Sequence, residues 1–360
     1  MEYIVRTVER GASMSCSLTL SRMFLVGFDG DALEQGHWLR KALKSSPPAG
    51  VILFDRNIDG SVQNFCSPQQ LKELTTALEK ISNGPLLIAV DQEGGRVCRL
   101  KEQNGFLPTK TAADLGLQDP GEATLPAAEA IAAELAECGI NLNLAPVADV
   151  NLNPDNPIIA QYERSFAADP DTVAAHCQAF IQAHHKYGVA CCLKHFPGHG
   201  SASGDSHLGF VDISKDWQEE ELRPYKKMIG QGIVDAIMTA HVVHYGLDPS
   251  GLPATLSPLM IDSMLRETLG YNGVVITDDL QMKAIASHYG FQEAVQRAVL
   301  AGTDLLIVGN NLERNPDALE LGVQAVQELL DQGKVSEERI LASLRRIDLL
   351  LQFVTRREKL

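Results

Sequence analysis

The stretch Val189-Ala190-Cys191-Cys192-Leu193-Lys194-His195-Phe196-Pro197-Gly198-His199-Gly200 changes character halfway along. Its first five residues are apolar and read as a strand. Lys194 and His195 follow at once, and Pro197 and Gly198 then break any helical continuation. Gly204-Asp205-Ser206-His207 comes soon after, so a lysine, three histidines and a carboxylate crowd into residues 194–207. A rigid apolar strand that hands polar groups to a loop is a common way of holding functional residues.

The same pattern recurs along the chain. Apolar runs rich in β-branched residues cover 24–28, 51–54, 86–90, 140–147, 189–193, 234–239, 273–277 and 304–308. Segments of helical period cover 68–81, 123–138, 170–187, 217–231, 257–269 and 291–301. Strands alternating with amphipathic helices read as parallel βαβ units, and eight such units close a (β/α)8 barrel. An open doubly wound sheet is the competing arrangement.

The polar residues weigh the choice. Asp55-Arg56, Asp91, Asp149, Lys194-His195, His241, Asp278 and Asn310 each fall at or just past the end of a run. Seven of the eight runs thus send a polar group to one face, which in a barrel is the active-site mouth. Strand ends are also simply where solvent begins, but that accounts for only one or two of these residues. The expected fold is α/β: a single TIM barrel, its first units allowed to be irregular, without a second α/β sandwich domain. Residues 1–20 are expected to form a poorly ordered extension and 21–360 the catalytic barrel, closed by a charged amphipathic helix from Ser336.

Composition narrows the partners. The chain has 360 residues, 45% hydrophobic and 21% charged, with a net charge of −15. That charge disfavours nucleic acid and anionic membranes and suits a soluble monomer. No apolar segment is long enough to span a bilayer, and the first residues lack the apolar core of a signal peptide. Seven cysteines without a CxxC spacing read as reduced thiols of a cytoplasmic protein.

Two chemistries compete for the polar face. His195 and His199 invite a metal site completed by His207, His241 or Asp278. Against it, Pro197 and Gly198 keep the two histidines off a common helical face, and Lys194 brings a cation towards a dication. The alternative begins at Asp278, in Val274-Val275-Ile276-Thr277-Asp278-Asp279-Leu280. A carboxylate at a barrel mouth can attack a carbon electrophile, as in retaining glycosidases, given a second group that protonates the leaving oxygen and later activates water. His207, oriented by Asp205, is suited to that task, although a DSH triplet alone also fits a surface turn. Asp91 in Asp91-Gln92-Glu93-Gly94-Gly95-Arg96-Val97 can accept from adjacent hydroxyls, and Arg99 and Arg164 supply planar donor forks. Neither GxxxxGK[ST] nor a post-strand GxGxxG is present, which disfavours nucleotides.

Together these motifs resemble family 3 glycoside hydrolases, and more narrowly their bacterial β-N-acetylglucosaminidase branch. The resemblance rests on Lys194-His195-Phe196-Pro197-Gly198-His199-Gly200 with Asp205-Ser206-His207, Leu53-Phe54-Asp55-Arg56-Asn57, the Asp91–Val97 motif, Arg164-Ser165-Phe166 and Thr277-Asp278-Asp279-Leu280-Gln281-Met282. Met238-Thr239-Ala240-His241 and Ala301-Gly302-Thr303-Asp304 add weaker matches. It implies a barrel with Asp278 as nucleophile and His207, paired with Asp205, as general acid/base. It implies that Asp91, Arg99, Arg164, Lys194 and His195 hold a terminal N-acetylglucosamine, with His241 and Met282 expected beside them. It implies no metal or organic cofactor. The substrate implied is a small carbohydrate, terminal β-linked N-acetylglucosamine on fragments ending in 1,6-anhydro-N-acetylmuramic acid, released in peptidoglycan recycling.

The chain departs from the pattern at Ser201, where an aspartate often stands, and at Leu208-Gly209-Phe210, where a proline-containing continuation is usual. Phe196 to Gly204 reads as a pliable connection with His199 in a structural role. A neutral histidine base also tolerates an anionic acceptor, which makes a phosphorylase the nearest alternative. A non-catalytic sugar-binding protein on the same scaffold is the other.

Overall fold

The computed structural model describes residues 20–82, 84–204 and 209–356. The expected extension falls almost wholly outside the described residues, as do Asp205 and His207. Its last member, Leu20, is buried in the core.

Each of the eight apolar runs overlaps a strand, the second strand starting one residue early and the fifth running three residues further. They are β1 (Phe24–Val26), β2 (Gly50–Ile52), β3 (Leu87–Val90), β4 (Leu142–Asn143), β5 (Ala190–Phe196), β6 (Ala236–Thr239), β7 (Val274–Thr277) and β8 (Leu306–Val308). All pair in parallel, in the order β7-β6-β5-β4-β3-β2-β1-β8. The two ends of that row also meet. Ile276 bridges Leu305, and the Thr277 N–H donates to the Leu305 carbonyl at 3.0 Å. The sheet is therefore closed, and the open doubly wound alternative is set aside. The 140–147 run yields only a two-residue strand. Pro146 lacks an N–H and cannot continue a ladder, and pairing resumes as a single bridge from Val147 to Lys194.

The connecting helices are α1 (Trp38–Ser45), α2 (Pro68–Ile81), α3 (Leu125–Glu137), α4 (Pro170–Lys186), α5 (Arg223–Gln231), α6 (Leu259–Thr268), α7 (Phe291–Ala301) and α8 (Ala318–Asp331). A ninth, α9 (Glu337–Thr355), follows them. The starts of α2 and α4 are set by a capping side chain and a proline in the first turn. Ser67 accepts from the Gln70 N–H ahead of Pro68, and Asp169 from the Thr172 N–H ahead of Pro170.

Inward-facing Leu25, Leu87, Leu142, Ala190, Ala236, Val274 and Leu305 fill the barrel together with Ile347, Leu350, Leu351 and Val354 of α9. Helix α9 sits where the strands begin. Asp304, just before β8, is fully buried and takes Arg266 (2.6 Å), Arg346 (3.0 Å) and the Ser343 hydroxyl (2.6 Å). One end of the barrel is thus plugged by apolar side chains. The other end is open.

Candidate active site

A cavity of ≈ 520 Å³ occupies the open end, floored by Ile52, Phe54, Leu144, Met238 and Ile307. Asp91, Arg99, Arg164, Lys194, His195, Asp278 and Met282 all line it. They come from the ends of β3, β4, β5 and β7, residues far apart in sequence that the barrel brings to one mouth. His241 does not line it. It is buried behind the wall, where its Nε2–H donates to the Asp279 carbonyl at 2.9 Å and its Nδ1 lies 2.9 Å from Thr255 Oγ1.

The wall opposite Asp278 is a chain of alternating charges. Arg99 Nη2 reaches Asp91 at 3.1 Å; Lys194 Nζ lies 2.8 Å from both Asp91 and Glu93; Arg164 grips both Glu93 oxygens at 2.8 Å. Loss of water alone would raise the carboxylates, but the cations outweigh it. Lys194 and Arg99 hold Asp91 well below the usual range, and Arg164 and Lys194 hold Glu93 at about 2. Lys194 shows the converse: burial disfavours its charge, and the two carboxylates more than restore it. Asp91, Glu93, Lys194 and Arg164 are thus ionised and fixed before a ligand arrives, which suits recognition of sugar hydroxyls by charged donors and acceptors.

His195 is oriented from behind. Its Nδ1–H donates to Asp149 Oδ2 at 2.7 Å, and Asp149 Oδ1 accepts the backbone N–H groups of His195 (3.2 Å) and His199 (2.9 Å). The His195 Nε2 therefore faces the cavity as an acceptor, 3.3 Å from Arg164 Nη2. His199 also lines the cavity, but burial outweighs the pull of Asp149 and lowers it to about 4, so it is neutral at ordinary pH.

Across the cavity, Asp278 Oδ1 accepts the N–H of Asp279 at 2.8 Å. Asp279 Oδ1 in turn accepts from the N–H groups of Gln281 (3.0 Å) and Gly309 (3.1 Å). That ties the loop after β7 to the end of β8. Among the described residues no three His, Cys, Asp or Glu side chains are grouped to hold a metal ion.

The connection expected to be pliable is different over 196–202, where every residue is buried. Asn156 Nδ2 donates to the His199 carbonyl at 2.7 Å, and Glu221 accepts the Gly200 N–H at 2.9 Å and the Ser201 hydroxyl at 2.5 Å. Ser201 is thus paired with a buried acid, and an aspartate there would set two carboxyl groups together.

Glu93, Asp149, Asp279 and Glu221 were not assigned to the site from sequence. For Glu93 a signal existed: in extended chain, residues two apart share a face, so Glu93 follows Asp91 into the cavity. Asp149 stood among the strand-end polar residues, but its partner is 46 residues away. Nothing local marks Glu221.

A family model described as the glycosyl hydrolase family 3 N-terminal domain matches residues 20–350. The chain belongs to glycosyl hydrolase family 3. A β-hexosaminidase of Tolumonas auensis is 38% identical over 277 residues, 76% of this chain and 78% of its own length. One of Alkalilimnicola ehrlichii is 34% identical over 326 residues, covering 88% of this chain and 86% of the relative. Among solved structures, a family 3 β-N-acetylglucosaminidase from Paenibacillus sp. FPU-7 superposes with a TM-score of 0.85 at 35% identity. That match covers 95% of this chain but only 63% of the longer neighbour. A β-N-acetylhexosaminidase from Beutenbergia cavernae, matched over its whole length, gives 0.80 at 30% identity and covers 95% of this chain. This family 3 chain is a glycoside hydrolase whose cavity lies at the C-terminal mouth of its barrel.

Proposed function

We propose that the enzyme is a retaining exo-β-N-acetylglucosaminidase acting on terminal β-linked N-acetylglucosamine. The observation that carries this reading is that Asp278 shares one closed-ended cavity with the ionised Asp91, Lys194, Glu93 and Arg164 chain. Such a cavity suits one terminal sugar held by its hydroxyls, with the Asp278 carboxylate placed toward its anomeric carbon. The names of the relatives support the same sugar class.

In the first step Asp278 bonds to the anomeric carbon as the bond to the leaving oxygen breaks. His207, oriented by Asp205, gives that oxygen its proton. Neutral His207 then takes a proton from water, whose oxygen attacks the anomeric carbon and frees Asp278. The leaving group proposed is 1,6-anhydro-N-acetylmuramic acid with or without peptide, as in cytoplasmic peptidoglycan recycling. No helix among the described residues is long and apolar enough to cross a membrane.

The test uses chromogenic N-acetylglucosaminides with and without inorganic phosphate. Wild type should release free sugar at a rate independent of phosphate; sugar phosphate as the product would replace hydrolase with phosphorylase. Asp278→Asn should lose at least about a thousandfold in kcat, in the range of losing a nucleophile. His207→Ala should lose far more on poor leaving groups than on acidic ones. Equal losses on both would remove His207 from the acid role.

A further inference from the structure

Three of the four Arg and Lys residues that line the cavity are paired within it. Lys194 pairs with Asp91 and Glu93, Arg99 with Asp91, and Arg164 with Glu93. Arg96 lines the same cavity but is exposed, and among the described residues it has no carboxylate partner. It sits at the turn of the hairpin formed by Gln92–Gly94 and Val97–Cys98, where Gly94 (φ 102°) and Gly95 (φ 60°) reverse the chain.

The guanidinium of Arg96 lies 3.8 Å from the centre of the Tyr162 ring. Tyr162 lies on the loop after β4 that also carries Arg164. Stacking occupies the face of the guanidinium and leaves its edge, a planar set of N–H donors, available in the mouth. Two parallel donors of that kind match a carboxylate better than a hydroxyl.

Depth decides which part of a substrate meets them. The paired cations are mostly covered: Lys194 and Arg164 are buried, and both lie against the inner wall. An exo-acting enzyme takes the terminal sugar inward, so the exposed Arg96 can meet only what projects outward from it. The net charge of −15 would repel an anionic leaving group, which makes an unpaired cation at the rim a specific attractor.

We propose that Arg96, held flat by Tyr162, is a specificity-determining residue of the leaving-group subsite and recognises a carboxylate carried by the aglycone. The assignment rests on the glycosidase reading above and goes beyond it in naming the residue that reads the leaving group's carboxylate.

The experiment compares two aryl N-acetylglucosaminides that differ by one carboxylate on the aryl ring. The readout is the ratio of kcat/KM for the acidic over the neutral substrate, wild type against R96Q. Intrinsic differences in leaving-group reactivity cancel when the ratios are compared. R96Q should lower the ratio roughly tenfold, chiefly through KM of the acidic substrate, in line with loss of a charge-assisted pair. R96K should fall between, since it keeps the charge without the planar fork. Added salt should erode the wild-type preference and not the R96Q ratio.

A ratio unchanged in R96Q would overturn the assignment, whether both substrates slow together or neither does. Competition by inorganic phosphate that R96Q abolishes, without any preference for the acidic glycoside, would also overturn it in favour of a free oxyanion site. Failure of the glycosidase reading shows separately, as absence of turnover of the neutral substrate by wild type. In that event calorimetric binding of the acidic glycoside decides the matter: a Kd that R96Q leaves unmoved overturns the assignment, and one weakened about tenfold sustains it.

Discussion

Asp278 and Asp279 are neighbours in sequence and differ in circumstance. Both line the cavity, but Asp278 Oδ1 accepts the Asp279 N–H, while Asp279 Oδ1 accepts the N–H groups of Gln281 and Gly309. Loss of water raises Asp279 to about 7; the Gln281 and Gly309 donors oppose this, and Asp278 and Asp91 add to it. Between its ordinary value of 3.8 and about 7 the folded protein holds a proton that the unfolded chain has released. Stability should therefore fall as pH rises through that window. Glu221, also raised to about 7, acts in the same direction, whereas Glu93, lowered from 4.5 to about 2, keeps its contribution above 4.5 and loses it as pH falls toward about 2. Asp279→Asn should thus lose less stability than wild type between pH ~5 and ~8, measured by urea midpoints. Equal losses would place the proton elsewhere. At this scale the sequence was most legible for the strand-end residues Asp91, Lys194-His195 and Asp278, all of which line the cavity. It was least legible for His241, which shares the strand-end position but turns to support a backbone carbonyl.

The element that departs most from expectation is the strap after β5. Proline and glycine in Phe196-Pro197-Gly198-His199-Gly200 look like freedom in a linear reading. Here they permit close packing: a Cβ on Gly200 would stand 1.8 Å from the Val150 carbonyl oxygen. Asn156, fully buried, is the strap's main fastening. It donates to the His199 and Gly200 carbonyls and accepts from the N–H groups of Ile158 (3.0 Å) and Ile159 (2.8 Å). Asn156→Ala leaves several buried backbone groups without partners and should cost on the order of 3 kcal/mol in denaturant unfolding. A change below about 0.5 kcal/mol, the range of an ordinary surface substitution, would show that the strap is held by something else. Helix boundaries were read well where a cap and a proline coincide, as in α2. Helices α1 and α8 were missed. The lysines and arginine of α1 leave only Leu39 and Leu43 fully covered, too short a buried stripe to stand out.

At the scale of the molecule, the barrel divides its interior between stability and chemistry. Ile347, Leu350, Leu351 and Val354 fill the end where strands begin, and the charged wall occupies the end where they finish. Ile347→Ala should therefore destabilise by about 3 kcal/mol, as for a buried aliphatic truncated in a core, without moving KM for an N-acetylglucosaminide. A changed KM would mean that the two ends are coupled through the inward layers. The sequence by itself determined the repeating strand–helix pattern, since apolar periodicity is local, and the set of reactive residue types at strand ends. Only the tertiary structure decided closure, in which β8 pairs with β1 from the far end of the chain and bridges β7 on its other side. It also decided pairing: Glu93 with Arg164 and Lys194, Asp149 with His195, and Arg96 with Tyr162 rather than a carboxylate. The physical reason is range. Periodicity and propensity act over a few residues, whereas the field on a titratable group comes from charges that lie close in space however distant in the chain, as Lys194 and Asp91 are at 103 residues apart.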